Sequence, residues 1–277
     1  MAKMTNKVKS KTKRILLFGA PKTGKTELAG RLAEHFNILY FGLENGHDTM
    51  FKFPKELQDK IEIVDLPDSR VYPIGIETML KVIRGNETKI CEIHGKVNCP
   101  VCTKNGDAFT TVELNALDET WVVIVDSLSQ LFNSALAHIT KGKPDDYKLQ
   151  TDDWGNSGKL MDMFLSQVQA ARYNIICISH ELGVEMNDGK EKLVAVAGTK
   201  NFSRNSAKYF GEVIYAELKN KKHVFGSSTG YANNIVTGSR EDFTLEDFED
   251  PKLIYLWKPE LGKLKEKKPL LGTTKVS

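Results

Sequence analysis

Short, uninterrupted apolar runs alternate along this chain with longer stretches in which apolar residues recur every three or four positions. The pattern predicts strands over Ile15–Phe18, Ile38–Gly42, Ile61–Leu66, Trp121–Val125 and Ile175–Ser179, with those at Ile15–Phe18 and Ile175–Ser179 buried. The periodic stretches predict helices over Thr26–His35, Ile74–Arg84, about Leu128–Ile139 and Gly158–Arg172. Such alternation implies an α/β fold, with a mostly parallel central sheet covered on both faces. After Ser179 the pattern changes. Val184–Met186, Leu193–Val196, Val213–Leu218 and His223–Phe225 read as antiparallel strands joined by polar turns such as Asn187-Asp188-Gly189. No internal repeat stands out and nothing marks a clean boundary. One core over residues 15–260 is expected, with a β-rich C-terminal part and a small insertion at about 88–107.

A chain of 277 residues can bury one substantial core, and 40% hydrophobic with 27% charged residues is a globular composition. No apolar run is long enough to span a bilayer, and Met1–Arg14 lacks the apolar stretch of a signal peptide. A cytosolic protein with no membrane partner is expected. Net charge is only +3, but it is unevenly spread. Lys3, Lys7, Lys9, Lys11, Lys13 and Arg14 make a basic tail over 1–14, and Lys263, Lys265, Lys267 and Lys268 make another over 261–277. Between them lies the acidic stretch Glu241–Asp250. Solvated, frayed tails and phosphate-backbone contacts both explain this pattern.

The strand Ile15–Phe18 leads into Gly19-Ala20-Pro21-Lys22-Thr23-Gly24-Lys25-Thr26 and then into a predicted helix. That order is the context a P-loop needs. Gly19 and Gly24 let the backbone turn its N–H groups toward phosphates, and the helix start adds the positive end of its dipole. Lys25 is placed to reach the β- and γ-phosphates, and the Thr26 hydroxyl to ligate Mg²⁺. Asp126 ends a purely apolar strand, so its carboxylate emerges at the carboxyl edge of the sheet, as a Walker B aspartate does. Glu44 follows the strand Ile38–Gly42 at the same edge; it is either the base that orients the attacking water or an ordinary strand-end acid. His180 closes the strand Ile175–Ser179, either as a γ-phosphate sensor or as a hydrogen-bonded structural histidine.

Three of the four cysteines fall within residues 91–102, where Cys91-x₂-His94-x₄-Cys99-x₂-Cys102 offers four soft ligands in two close pairs. Two such pairs can close a tetrahedral, structural Zn²⁺ site and fold a loop too small for a core; a coincidence of free thiols is the alternative. Cys177, inside an apolar strand, reads as a buried small hydrophobe.

Taken in order, these pieces resemble the RecA-like recombinase core. The likeness runs through Ile15–Thr26, Leu39–Asp48, Val122–Leu131, Trp154–Arg172, Asn174–Glu181 and Asn205–Leu218, covering roughly residues 14–225. In size and layout the chain is similar to phage-encoded, core-only RecA-like proteins of the Sak type. The resemblance implies a RecA-like P-loop NTPase core with a zinc-binding insertion, and ATP-dependent binding of single-stranded DNA in annealing or strand exchange. It also implies work in a bacterial host's cytoplasm. It assigns Lys25 and Thr26 to phosphate and Mg²⁺, Asp126 to Mg²⁺, Glu44 to the attacking water and His180 to sensing.

Two disordered-looking loops would then face DNA. The first, about Thr140–Trp154, carries Lys141, Lys143, Tyr147 and Lys148; the second, about Leu182–Ala207, carries Lys190, Lys192, Lys200, Phe202 and Arg204. The cations suit sequence-independent phosphate contact and Phe202 or Tyr147 suits stacking on unpaired bases, though solvated loop charges around a buried aromatic read equally well from the residues alone. Hydrolysis also needs charge neutralisation, often from a neighbour in a homo-oligomeric ring or filament, and Lys208 leads Lys219, Lys221 and Arg204 for that role. A single-strand-binding protein is a further candidate partner. The sequence departs from RecA proper in having His180 in place of glutamine, and in lacking the N-terminal docking helix. Two other classes stay open: an AAA-type helicase loader or remodeller, which normally carries a helical lid, and a small-molecule kinase, which needs an arginine-rich lid.

Overall fold

Each of the five apolar runs becomes a strand, and all five lie in one sheet. The computed structural model describes residues 12–265. The basic tails expected over 1–14 and 261–277 therefore fall mostly outside the described residues, Lys3, Lys7, Lys9, Lys11, Lys267 and Lys268 among them. From the amino end come β1 (Arg14–Gly19), α1 (Lys25–Gly30), β2 (Asn37–Gly42), the single turn α2 (Lys55–Gln58), β3 (Ile61–Asp65) and α3 (Ile74–Val82). A small module of β4 (Thr88–Cys91), α4 (Pro100–Asn105) and β5 (Phe109–Val112) precedes β6 (Trp121–Asp126), α5 (Leu128–Ile139) and α6 (Thr151–Ala170). The chain closes through β7 (Asn174–Glu185), β8 (Glu191–Ala195), α7 (Lys200–Arg204), β9 (Glu212–Lys219) and β10 (Lys222–Gly226).

The sheet order is β10–β9–β1–β7–β6–β2–β3, with β8 paired to β7. Strands β9, β1, β7, β6, β2 and β3 run parallel; β10 and β8 are antiparallel to β9 and β7. Alternation of side chains sorts each apolar run between two faces. Ile15, Leu17, Val122, Ile124, Ile176 and Ile178 pack toward α1 and the C-terminal segment Leu253–Leu256. Leu16, Phe18, Val123, Val125, Ile175 and Cys177 pack toward α3, α5 and α6. Each of these side chains is buried, and full burial of one stabilises by about 1.5–3 kcal/mol. This explains why the runs in β1, β6 and β7 lack charged residues, whereas β3 at the sheet edge carries exposed Glu62 and Asp65. The pairing also levels the strand ends: Gly19 lies opposite His180, and Gly42 opposite Asp126.

Several expectations need correction. The strand Val213–Leu218 pairs parallel with β1 and antiparallel only with β10, so it extends the central sheet. Val184–Met186 is no separate strand, because β7 continues unbroken to Glu185. The helix expected from Gly158 starts seven residues earlier, at Thr151, where Gln150 and Asp153 form a reciprocal capping box. Gly155 and Gly158 masked that start. The disordered-looking loop Leu182–Ala207 is instead the β7–β8 hairpin followed by α7.

Asn174, 1% exposed, ties three parts of the chain together at the amino edge of the sheet. Its Oδ1 accepts from Lys13 N and Trp257 Nε1, both at 3.0 Å. Its Nδ2 donates to the carbonyl oxygens of Trp121 at 2.9 Å and Glu119 at 3.3 Å. Replacing it with alanine strands buried donors and acceptors, and we expect Asn174→Ala to cost about 2–4 kcal/mol in urea unfolding. A loss under about 1 kcal/mol would remove Asn174 from this role.

Candidate active site

The P-loop joins β1 to α1 through residues whose backbone only glycine tolerates in two places. A Cβ on Gly19 would stand 2.1 Å from the Ala216 carbonyl oxygen of β9, and Gly24 adopts a φ of +81°. His223 of β10 steadies the loop by donating from Nδ1 to the Thr23 carbonyl oxygen at 3.0 Å. Lys25 folds back beneath the loop and donates to the carbonyl oxygens of Gly19 at 3.0 Å and Ala20 at 2.7 Å. Burial pushes its ammonium below the usual lysine value; the negative charges of Asp126, Glu181 and Glu44 oppose that shift.

Asp126 stands at the end of β6, 4% exposed. Its Oδ2 accepts from the Thr26 hydroxyl at 2.5 Å and from the Tyr40 hydroxyl at 2.9 Å. Burial raises the carboxyl above the usual aspartate range, while these two hydrogen bonds pull it down. Burial, and after it the charge of the same carboxylate, push the Tyr40 hydroxyl upward. Gly46 keeps open the space in front: a Cβ there would come 3.0 Å from Asp126 Oδ2 and 3.3 Å from Thr26 Oγ1. The Thr26 hydroxyl and the Asp126 carboxylate are hard oxygen donors of the kind Mg²⁺ takes.

Glu44 follows β2 on the other side of β6. Its Oε1 accepts from the Ser127 hydroxyl at 2.5 Å, and its Oε2 lies 3.5 Å from His180 Nε2. The Asp126–Ser127 peptide between these groups is cis. Ser129 accepts from the His180 backbone N–H at 2.9 Å and contacts the Ser179 hydroxyl at 3.1 Å. Beside His180, Glu181 accepts from the Tyr215 hydroxyl at 2.8 Å. Thus Lys25, Thr26, Glu44, Asp126 and His180 gather at one edge of the sheet.

Away from this edge, Cys91 at the end of β4, His94, Cys99 and Cys102 of α4 bring their ligand atoms within 4.8 Å of one another. His94 Nδ1 lies 3.1 Å from Cys102 Sγ. Three thiols with one imidazole are the Cys₃His set that suits a closed Zn²⁺ site. The three cysteines are buried with only Phe109 packed against them, so the loop has almost no apolar core of its own. Ile90 and Val112 lean on the main core, and Tyr72 and Thr78 donate to the carbonyl oxygens of His94 and Gly95.

A family model described as an AAA domain matches residues 11–240. The chain belongs to the AAA domain family. It is a P-loop ATPase, and ATP with Mg²⁺ are the ligands that membership implies. Among solved structures, the KaiC-like protein PH0186 of the archaeon Pyrococcus horikoshii OT3 is similar at 15% identity, with 77% of this chain and 76% of that chain covered and a TM-score of 0.38. No curated protein matches. The α/β core is mostly parallel with its P-loop at the carboxyl edge, as expected. Among the described residues no helix of this AAA domain chain is long and apolar enough to cross a membrane.

The residues expected to face DNA lie in separate places. Lys141 and Lys143 stand in the turn after α5, where Lys143 Nζ sits 5.2 Å over the Tyr147 ring. Tyr147 is engaged, donating to Asp153 at 2.9 Å. Lys190 and Lys192 belong to the β7–β8 hairpin, and Lys200 opens α7. Phe202 is not a free stacking ring: it packs on the core and stacks on Tyr209, centroids 6.2 Å apart. Arg204 donates to Asn187 Oδ1 at 3.1 Å. Lys208 lies over the Tyr209 ring at 4.7 Å. Sequence reasoning missed Tyr40, Gly46, Ser127 and Ser129. The hydroxyls at 127 and 129, directly after the Asp126 strand, were the available signal. His223 left none, since only the β9–β10 hairpin brings it to the P-loop.

For the Cys₃His cluster we expect about one zinc per purified chain by elemental analysis. Strong chelation or Cys102→Ser should lower the thermal midpoint measurably. A metal-free chain that melts at the same temperature would show these to be ordinary thiols.

Proposed function

We propose that this ATPase binds single-stranded DNA, is stimulated by it, and promotes annealing or strand exchange in homologous recombination, as a homo-oligomer whose core spans about 15–260 between two basic tails. Strand β7 carries the reading. It runs unbroken for twelve residues, Asn174–Glu185, and passes from His180, 3.5 Å from Glu44, into the hairpin whose turn presents Lys190. A strand shared by the nucleotide edge and a basic hairpin is a physical element that both ligands can bias.

In this reading Lys25 and the P-loop N–H groups hold the phosphates, and Thr26 with Asp126 holds Mg²⁺, which neutralises charge on the transferred phosphoryl group. Ser127 fixes one oxygen of Glu44, leaving the other beside His180 to take the proton of the attacking water. His180 reports the state of that oxygen to β7. The zinc module is structural. A neighbour's cation, drawn from Lys208, Lys219, Lys221 and Arg204, neutralises the transition state, and Lys141, Lys143, Lys190, Lys192, Lys200 and Arg204 supply phosphate contacts. A helicase loader or remodeller of the AAA type is less favoured, because after β7 the described residues hold only the five-residue α7 as α-helix and no helical lid.

ATP hydrolysis should rise several-fold with single-stranded DNA. Glu44→Gln should lower it by about 10²-fold or more, and Lys25→Ala should abolish it with the fold retained. Hydrolysis indifferent to DNA would move the protein to the remodeller class, and turnover surviving in Lys25→Ala would displace the site. The rate per subunit should also climb with protein concentration as the oligomer forms; a constant rate in a species that sediments as a monomer would rule out the neighbour's cation.

A further inference from the structure

Between α6 and the segment from α7 to Tyr209 lies an open hollow of about 660 Å³, lined by none of the nucleotide-edge residues. One wall begins with Trp154, in the first turn of α6 and 38% exposed. Its ring is backed by Phe132, with centroids 6.3 Å apart, so one aromatic face is braced while part of the indole meets solvent. Gly155 and Gly158 follow, and a Cβ at either would meet nothing within 4 Å. Glycine is a poor helix former, and no close packing demands it here. What the two glycines do is leave bare helix backbone beside the indole.

The facing wall sets the stacked Phe202 and Tyr209 rings among polar and basic groups. Asn201, Asn205 and Lys208 are exposed along it, and Lys208 is held over the Tyr209 ring. Lys159 extends the charge from α6, and the one acid lining the hollow, Asp162, is engaged as the acceptor of the Tyr209 hydroxyl. A braced indole, a side-chain-free floor, amide groups and two cations are what an unpaired base and its flanking phosphates require. An apolar peptide or second hydrophobic helix would have to bury those cations unpaired.

We propose that this hollow is the groove through which single-stranded DNA passes, with Trp154 as the platform on which one base stacks and Lys159 and Lys208 on the adjacent phosphates. It rests on the single-strand reading above and deepens it, moving the aromatic role from the packed Phe202 to Trp154. Lys208 then serves the strand, which leaves Lys219 and Lys221 as the foremost cations for a neighbour's nucleotide.

The test uses the full chain and labelled oligo(dT), read by fluorescence anisotropy, with intrinsic tryptophan emission recorded in parallel. Trp154→Ala should weaken binding by about ten-fold and remove most of the emission quenching, whereas Trp154→Phe should recover much of the affinity. Gly158→Leu is the independent variant: leucine favours the helix and fills the hollow, so affinity should fall comparably while the melting temperature holds. ATP hydrolysis without DNA should be unchanged in all three. If the wild type binds oligo(dT) and both Trp154→Ala and Gly158→Leu bind equally well, the groove is wrong and the single-strand reading survives. If Gly158→Leu instead loses self-association with DNA binding intact, a second copy of the chain occupies the hollow and the proposal is overturned. A wild type that binds no oligo(dT) would end both readings.

Discussion

A buried carboxylate needs compensation, and the site is arranged around that requirement at Asp126. At 4% exposure its charge survives only beside donors. Thr26 and Tyr40 supply them from two different segments, and the carboxylate's charge opposes the downward push that burial exerts on the Lys25 ammonium. Each donor is delivered by a separate parallel strand or its following loop, so the side chains meet only if the ends of β1, β6 and β2 are level. The registers of Gly19 with His180 and of Gly42 with Asp126 supply that level edge. Sheet pairing and local electrostatics are thus one problem with one solution.

Strand β7 has a second job besides lying between the P-loop strand and the Asp126 strand. Its first half is buried on both faces and carries Ile176 and Ile178 into one cluster and Ile175 and Cys177 into the other. Its second half leaves that sandwich and pairs only with β8 beyond Glu181. His180 and Glu181 sit at the change, touching Glu44 and Tyr215 respectively. A displacement at the nucleotide edge therefore meets a rigid body on one side and a freer ribbon on the other.

The apolar runs were legible because a strand buried on both faces cannot carry polar residues, and the P-loop because phosphate chemistry dictates its glycines, lysine and threonine. Asp126 and Glu44 could be placed at an edge from strand direction alone. What could not be read was pairing between distant segments. The parallel seat of Val213–Leu218 beside β1 depends on the length of the crossover, which leaves no local pattern. The start of α6 was hidden because Gly155 and Gly158 lower helix propensity where a capping box and the packing of Met161, Phe164 and Leu165 decide the matter. Phe202 stayed open between a stacking ring and a buried one because a single aromatic in a polar stretch carries no sign of the Tyr209 it meets.

The clearance between Gly19 and the Ala216 carbonyl oxygen, with the His223 bond to Thr23, couples the beginning of the chain to a hairpin some two hundred positions later. A nascent chain leaving the ribosome exposes its phosphate loop long before the strands that brace it have been made. Until β9 and β10 dock, nothing closes the space beside Gly19 or fixes the turn at Thr23. Nucleotide competence is thereby tied to the completion of synthesis, and a truncated chain carries the whole phosphate motif without the scaffold that gives it shape.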